Sequence, residues 1–131
     1  MLESDPKDEG AFPHKEITEA IIGAAFEVHN HLGYGFLHRV YQRALQVELG
    51  NRNLRGEFEK RINVRYKDII VGDYDADLIV GDCVLLEIKV APQYDKRDEA
   101  QLLNMLKATG LKVGILINFG RYKVEYRRFI F

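Results

Sequence analysis

The stretch from Tyr74 to Val90, Y-D-A-D-L-I-V-G-D-C-V-L-L-E-I-K-V, constrains this chain more than any other. It holds two apolar runs of strand length, and each carries charge where burial forbids it: Asp75 and Asp77 in the first, Glu87 and Lys89 in the second. Ionised groups taken out of water cost several kcal/mol unless they are paired or bind a metal. The simplest way for a fold to bury both runs is to bring these groups to a shared site. Glu87 and Lys89 are two apart, so on a strand they project from one face while Leu86, Ile88 and Val90 project from the other. The side taken by Asp77 depends on the turn. A two-residue loop at Gly81-Asp82 sets Asp77 opposite Leu86, on the wrong face from Glu87. An odd-length loop centred on Asp82 sets Asp77 opposite Glu87, on the same side. Carboxylates that close repel, and a divalent cation is the usual relief. The odd loop is therefore the prediction.

At 131 residues the chain is expected to form one domain, residues 15–131, behind a mobile acidic arm, residues 1–14, interrupted by Pro6 and Pro13. No apolar run reaches the ~20 residues of a membrane span, and M-L-E-S-D-P-K-D-E-G is not a secretory signal. The single Cys83 cannot form an internal disulfide and falls in an apolar run, where a small core residue is expected. A cytoplasmic protein without membrane association is the reading. Net charge is −1, which excludes a strongly basic nucleic-acid binder, although the first ten residues carry −3 of it. Basic residues gather in Lys60-Arg61-x3-Arg65-x-Lys67 and in Arg121-x-Lys123-x3-Arg127-Arg128. Both clusters suit a solvated sheet face as well as a phosphate track.

Periodicity predicts a packed helix from Ile17 to Gly33 and a second from about Leu37 to Leu49, capped by Gly50-Asn51. His29 and His31, near the end of the first, face different ways, which argues against joint metal ligation. Phe58–Tyr66 alternates as a half-exposed strand, Ile69–Val71 resumes it, and Gly72-Asp73 reads as a bulge or break before the central pair. Asp73 and Asp75 are expected near the rim of the site, with a plain turn or edge-strand residue as the alternative for both and the favoured reading for Asp73. After Ala91-Pro92 ends the next strand, Asp95–Glu99 opens a helix closed by Gly110, with Ala100, Leu102, Leu103, Leu106 and Ala108 as its buried stripe. Lys112–Phe119 reads as a strand covered on both faces, and Arg121–Phe131 as a last alternating strand. Its end, F129-I-F131, suits a dimer edge or the core equally. The order helix, helix, three antiparallel strands, helix, two strands makes an α/β sandwich with a mixed central sheet.

The spacing D77-x9-E87-x-K89 resembles the core of the PD-(D/E)XK nuclease superfamily. Its GxxExxY branch is suggested by I21-I-G-A-A-F-E-V-H29, G35-F-L-H-R-V-Y41, A76-D-L-I-V80, L86-E-I-K89, E99-A-Q-L-L-N104 and G114-I-L-I-N-F-G120. The likeness runs from about Ile17 to the C-terminus. It is specific as a set, whereas D…ExK alone is weak. It implies a restriction-endonuclease-like αβββαβ core flanked by helices, and divalent-metal-dependent hydrolysis of phosphodiester bonds in DNA or RNA.

Carried onto this chain, the resemblance makes Asp77 and Glu87 metal ligands, with the backbone carbonyl of Ile88 as a further one. Lys89 then orients water or stabilises the transition state, and Gln101 on the third helix holds the site or the substrate phosphate. The chain departs from the pattern twice. His38 stands where the branch has Glu, as in RecB-like relatives, and either keeps a ligand with altered preference between Mg2+ and Mn2+ or records loss of the site. Met105 replaces the Tyr that follows such a Gln, and packing is its expected role. Tyr41 reads as core. The bland alternative is a buried Glu87-Lys89-Asp77 ion cluster, a costly way to build a core. Two functions follow: a small nuclease, or a catalytically inactive relative that binds nucleic acid or protein. Either allows a homodimer or a protein partner.

Overall fold

The computed structural model describes residues 13–131. The arm expected over residues 1–14 lies outside the described residues except for its last two. Helix α1 spans Lys15–Leu32 and buries Ile21, Ala24, Ala25 and Val28, a stripe at helical spacing. It stops at Gly33, whose φ of 69° belongs to the left-handed region and whose N–H returns to the His29 carbonyl at 2.8 Å. Helix α2, His38–Asn51, packs beside it on Tyr41, Leu45 and Leu49. Gly50 and Asn51 do not cap α2 but are its last residues; the chain turns at Asn53, at φ 64°.

Five strands follow in spatial order β1-β2-β3-β4-β5: Gly56–Tyr66, Ile69–Val80, Val84–Lys89, Val113–Phe119 and Val124–Ile130. All neighbours are antiparallel except β3 and β4. A parallel pair needs a crossover, here helix α3, Glu99–Thr109, led in by a 3-10 turn at Lys96–Asp98 and closed by Gly110 at φ 75°. This is the restriction-endonuclease-like α/β arrangement with a mixed sheet. Helices α1 and α2 cover one sheet face against Leu78, Val80, Leu86, Ile88 and Ile115. Helix α3 covers the other against Ile79, Leu85 and Leu116 through Leu102, Met105 and Leu106. Its approach is close: a Cβ on Gly114 would lie 3.0 Å from Leu106 Cδ1.

Several expectations change in detail. Strand β2 does not break at Gly72-Asp73; the irregularity is a slip opposite Val64/Arg65, absorbed without ending either strand. Ala100 is exposed, because within α3 it lies two residues, about 200°, from Leu102 and so faces away from the stripe that Leu102, Met105 and Leu106 bury. Cys83 lies in the β2–β3 turn rather than in a strand. It is partly buried there, its Sγ is 3.7 Å from the Val80 carbonyl, and burial pushes the thiol's pKa up. Phe129 is core, Ile130 packs against the α1–α2 side, and Phe131 is exposed.

Candidate active site

The β2–β3 connection is three residues long, Gly81-Asp82-Cys83, with Gly81 and Asp82 at φ 60° and 59°. It sets Val80 opposite Val84, Ile79 opposite Leu85 and Leu78 opposite Leu86. That register carries Asp77 to the level of Glu87, as an odd loop requires. Beyond Leu78 the backbone ladder stops and side chains take over. Glu87 Oε1 accepts the Asp77 N–H at 3.1 Å, and Asp77 Oδ2 accepts the Ile88 N–H at 2.7 Å. Gln42 Nε2, from α2, donates to the Asp77 carbonyl at 2.9 Å. Two strands fork here, and each freed amide is satisfied by a carboxylate from across the fork.

Helix α2 delivers His38 to the same point. Its Nε2 lies 3.1 Å from Asp77 Oδ2 and 3.1 Å from the Ile88 carbonyl oxygen. Both partners accept, so Nε2 carries the hydrogen, and its bond to Asp77 raises the imidazole pKa against the opposing effect of burial. Glu87 is 5% exposed. Desolvation first, and the Asp77 charge second, push its pKa up to about 7, against the pull of the Asp77 N–H, Lys89 and His38. Lys89 points from the same face of β3 and pairs with Asp98, Nζ to Oδ1 3.9 Å. The cluster of Asp77, Glu87 and Lys89 is therefore not closed on itself.

These groups floor an open cleft of ≈ 540 Å3. Gln101 and Asp75 lie at its rim, both exposed, with Asp75 also meeting Arg61 at 3.4 Å. Asp75 is thus not a buried charge: β2 runs on past the end of β3 and leaves it in solvent. Asp73 sits farther out, exposed opposite Asn63, and does not line the cleft. His29 and His31 are elsewhere. His29 Nε2 meets the Gly120 carbonyl at 2.8 Å, and the exposed His31 meets Glu27 at 3.3 Å.

The G35-F-L-H-R-V-Y41 segment acts as one device. Gly35 has φ 113°, outside the reach of ordinary L-residues. Tyr41 is fully buried, stacks on Phe119 at 4.5 Å, donates from its hydroxyl to the Gly33 carbonyl at 2.6 Å and accepts the Phe36 N–H at 3.4 Å. His38, between them, is aimed at the fork. Three contributors escape sequence reasoning. Gln42 lies one turn beyond His38 on the same helix face, and its signal was a polar residue beside Tyr41 and Leu45. Asp98 is an early helix acid with no mark to distinguish it from Asp95. Asn118, 2% exposed on β4, holds Ala91 by both amide atoms at 3.0 Å and so fixes the chain just beyond Lys89. A buried Asn in an apolar run was the clue.

The donor set fits a hard or borderline divalent ion: carboxylate, backbone carbonyl and imidazole. His38 Nε2 lies within hydrogen-bond reach of both oxygens, 3.1 Å from each, and has to give up its hydrogen to bind an ion beside them. As they stand, no three His, Cys, Asp or Glu side chains among the described residues close around one point to hold an ion.

Residues 15–129 match the sequence model of the PD-(D/E)XK nuclease superfamily, and the chain belongs to that superfamily. Among solved structures it is similar to the crystal structure of SSO0001, at 19% identity and TM-score 0.53, with 95% of this chain and 59% of that one covered. That likeness shows the fold, and the chain spans 59% of that protein's length. An alkaline exonuclease (LHK-Exo) from Laribacter hongkongensis aligns at 12% identity and TM-score 0.41, covering 88% of this chain and 81% of its own, too distant to inform the chemistry here. No curated protein matches. No helix among the described residues is long and apolar enough to cross a membrane.

Proposed function

We propose that this chain is a divalent-metal-dependent nuclease that hydrolyses phosphodiester bonds of DNA or RNA, and that it belongs to the GxxExxY branch. The observation that carries this reading is Glu87, an almost wholly buried carboxyl whose ionisation the fold resists, set beside Asp77 and His38 on the floor of an open cleft. A carboxyl perturbed by desolvation and a charged neighbour in a cleft is a candidate for chemistry. Asp77, the Ile88 carbonyl, His38 and Glu87 would hold Mg2+ or Mn2+. A bound ion of this kind activates water and neutralises charge on a scissile phosphate.

The chain's own residues supply the rest. Asp77 is held rigid by the Ile88 and Gln42 contacts, so its carboxylate need not reorganise during reaction. Lys89 Nζ, tethered by Asp98 at the cleft, stabilises negative charge building on the phosphate oxygens. Gln101, exposed at the rim, hydrogen-bonds a phosphate oxygen. His38, an imidazole where the branch has Glu, favours Mn2+ over Mg2+. One domain over residues 15–131 and a cytoplasmic location belong to this reading, as do nucleic acid as partner and a homodimer as a permitted assembly.

A second reading is favoured by one specific observation: Asp77 is satisfied without an ion, by His38 Nε2 and the Ile88 amide. On it the chain is an inactive relative that binds nucleic acid or protein. Calorimetric titration with Mn2+ and then Mg2+ on the wild type, Asp77→Ala and Glu87→Ala separates the two, followed by cleavage of mixed DNA and RNA with whichever metal binds. The expected outcome is binding lost in both variants, with cleavage falling by about a thousandfold or more. A folded wild type that binds neither metal at millimolar concentration would leave the inactive module in its place.

A further inference from the structure

We infer that the loop between α1 and α2 is a stacking platform for an unpaired nucleobase, so that the substrate is single-stranded or frayed nucleic acid rather than intact duplex. The inference rests on the reading of the neighbouring cleft as a phosphodiester-cleaving centre. Tyr34, Phe36 and Leu37 are 36%, 49% and 73% exposed, and all three line the cleft that holds Asp77 and Glu87. Adjacent apolar side chains left in water along the wall of a polar cleft offer a contact surface to whatever enters it.

The loop is held in place to present them. Tyr41, locked in the core, grips the Gly33 carbonyl and the Phe36 amide. Its ring meets Phe36 edge-on, with centroids 6.3 Å apart and planes at 69°. Gly33 and Gly35, at φ 69° and 113°, give the backbone a path that other residues resist. An aromatic side chain fixed this way loses little freedom when a base stacks on it.

Charge selects the occupant. Among the described residues lining the cleft, Lys89 is the single lysine or arginine, against Asp75, Asp77 and Glu87. Duplex binding depends on many phosphate contacts from cations, and this wall offers rings instead. The face of a base is free to stack only when the base is unpaired. A nucleotide whose base rests on Phe36 and Tyr34 would bring a neighbouring phosphate toward Lys89 and the carboxylates.

The test is binding of a short single-stranded DNA oligonucleotide carrying 2-aminopurine, in chelator at low salt, beside the same strand annealed to its complement. Stacking should quench the fluorophore, and the duplex should bind more weakly. Phe36→Ala should weaken single-strand binding about tenfold, with Tyr34→Ala acting in the same direction and Phe36→Tyr restoring it. Should Phe36→Ala lower the melting temperature, Tyr34→Ala carries the same test by itself. Unchanged affinity in the alanine variants would overturn the inference, as would equal binding of duplex without quenching. So would sedimentation showing that Phe36→Ala splits a dimer while single-strand binding survives, since a second copy would then cover the loop. Aromatic-dependent quenching without metal-dependent cleavage would retain the platform and remove the nuclease reading; cleavage indifferent to Phe36 and Tyr34 would do the reverse.

Discussion

Strands β3 and β4 are parallel neighbours at the centre of one sheet, yet they are built to different rules. Strand β4 is buried from Val113 to Phe119 and apolar at every position but Asn118 and Gly114. Strand β3 is just as buried through Ile88, but it places Glu87 beside Leu116 and Lys89 beside Asn118. At equal depth one strand spends its positions on packing and the other on charge. Burial alone therefore does not explain the charges of β3. What separates the strands is the other neighbour: β3 borders the point where β2 pulls away, and the cleft opens there.

The largest effect should come from moving the charge across that boundary. Leu116→Glu puts a carboxyl under Leu102 and Leu106 with no fork to receive it, and should leave the chain largely unfolded by circular dichroism. Leu116→Ala should cost about 2–5 kcal/mol in urea unfolding, through lost burial and the cavity left behind.

Next is the pH response of Glu87 in metal-free protein. Its folded pKa is raised from the ordinary 4.5 to about 7, so the native state binds the proton more tightly than the unfolded chain. The associated stability is fully present below about pH 4.5 and is lost as pH rises through about 7. The raised pKa of His38 acts in the same direction, its contribution being present below 6.5 and lost above its folded value. Stability measured by denaturant in chelator should thus fall with rising pH, with a Glu87 contribution on the order of 3 kcal/mol. Glu87→Gln keeps an acceptor for the Asp77 amide and should remove most of that slope. A slope unchanged in the variant would show that the fold tolerates the Glu87 charge.

The smallest effect sharpens the fork itself. Gln42→Ala leaves the Asp77 carbonyl without its donor and should cost about 1–3 kcal/mol. It should also weaken Mn2+ binding measured by calorimetry, which loss of packing at a site remote from metal would not do. Equal destabilisation with unchanged metal affinity would reduce Gln42 to a structural role.

Much of this was legible along the chain because it depends on period and sign. Alternation placed Glu87 and Lys89 on one face, charge repulsion chose the odd turn that levels Asp77 with Glu87, and Gly33 and Gly110 marked the ends of α1 and α3. Other features were not, and each failure has a cause. Asp75 follows the same alternating pattern as Asp77, but only the differing lengths of β2 and β3 leave it in solvent. Gly50-Asn51 looked like a cap because local preference favours one there, while packing of Leu49 carries the helix past it. Ala100 is apolar like the stripe it was grouped with, but two residues before Leu102 on the same helix it faces the other way.

The sequence by itself determined the order of elements, the two covered strands and the three charged positions that share a side, since each follows from spacings of two or three to four residues. Only the tertiary structure decided that the β2–β3 ladder ends at Leu78, that His38 reaches both Asp77 and Ile88, that Gln42 and Asn118 hold the edges of the fork, and that Lys89 pairs with Asp98. The His38, Gln42 and Asn118 contacts join residues 50, 35 and 27 positions apart. They are set by how helices seat on a twisted sheet, and no local period encodes that.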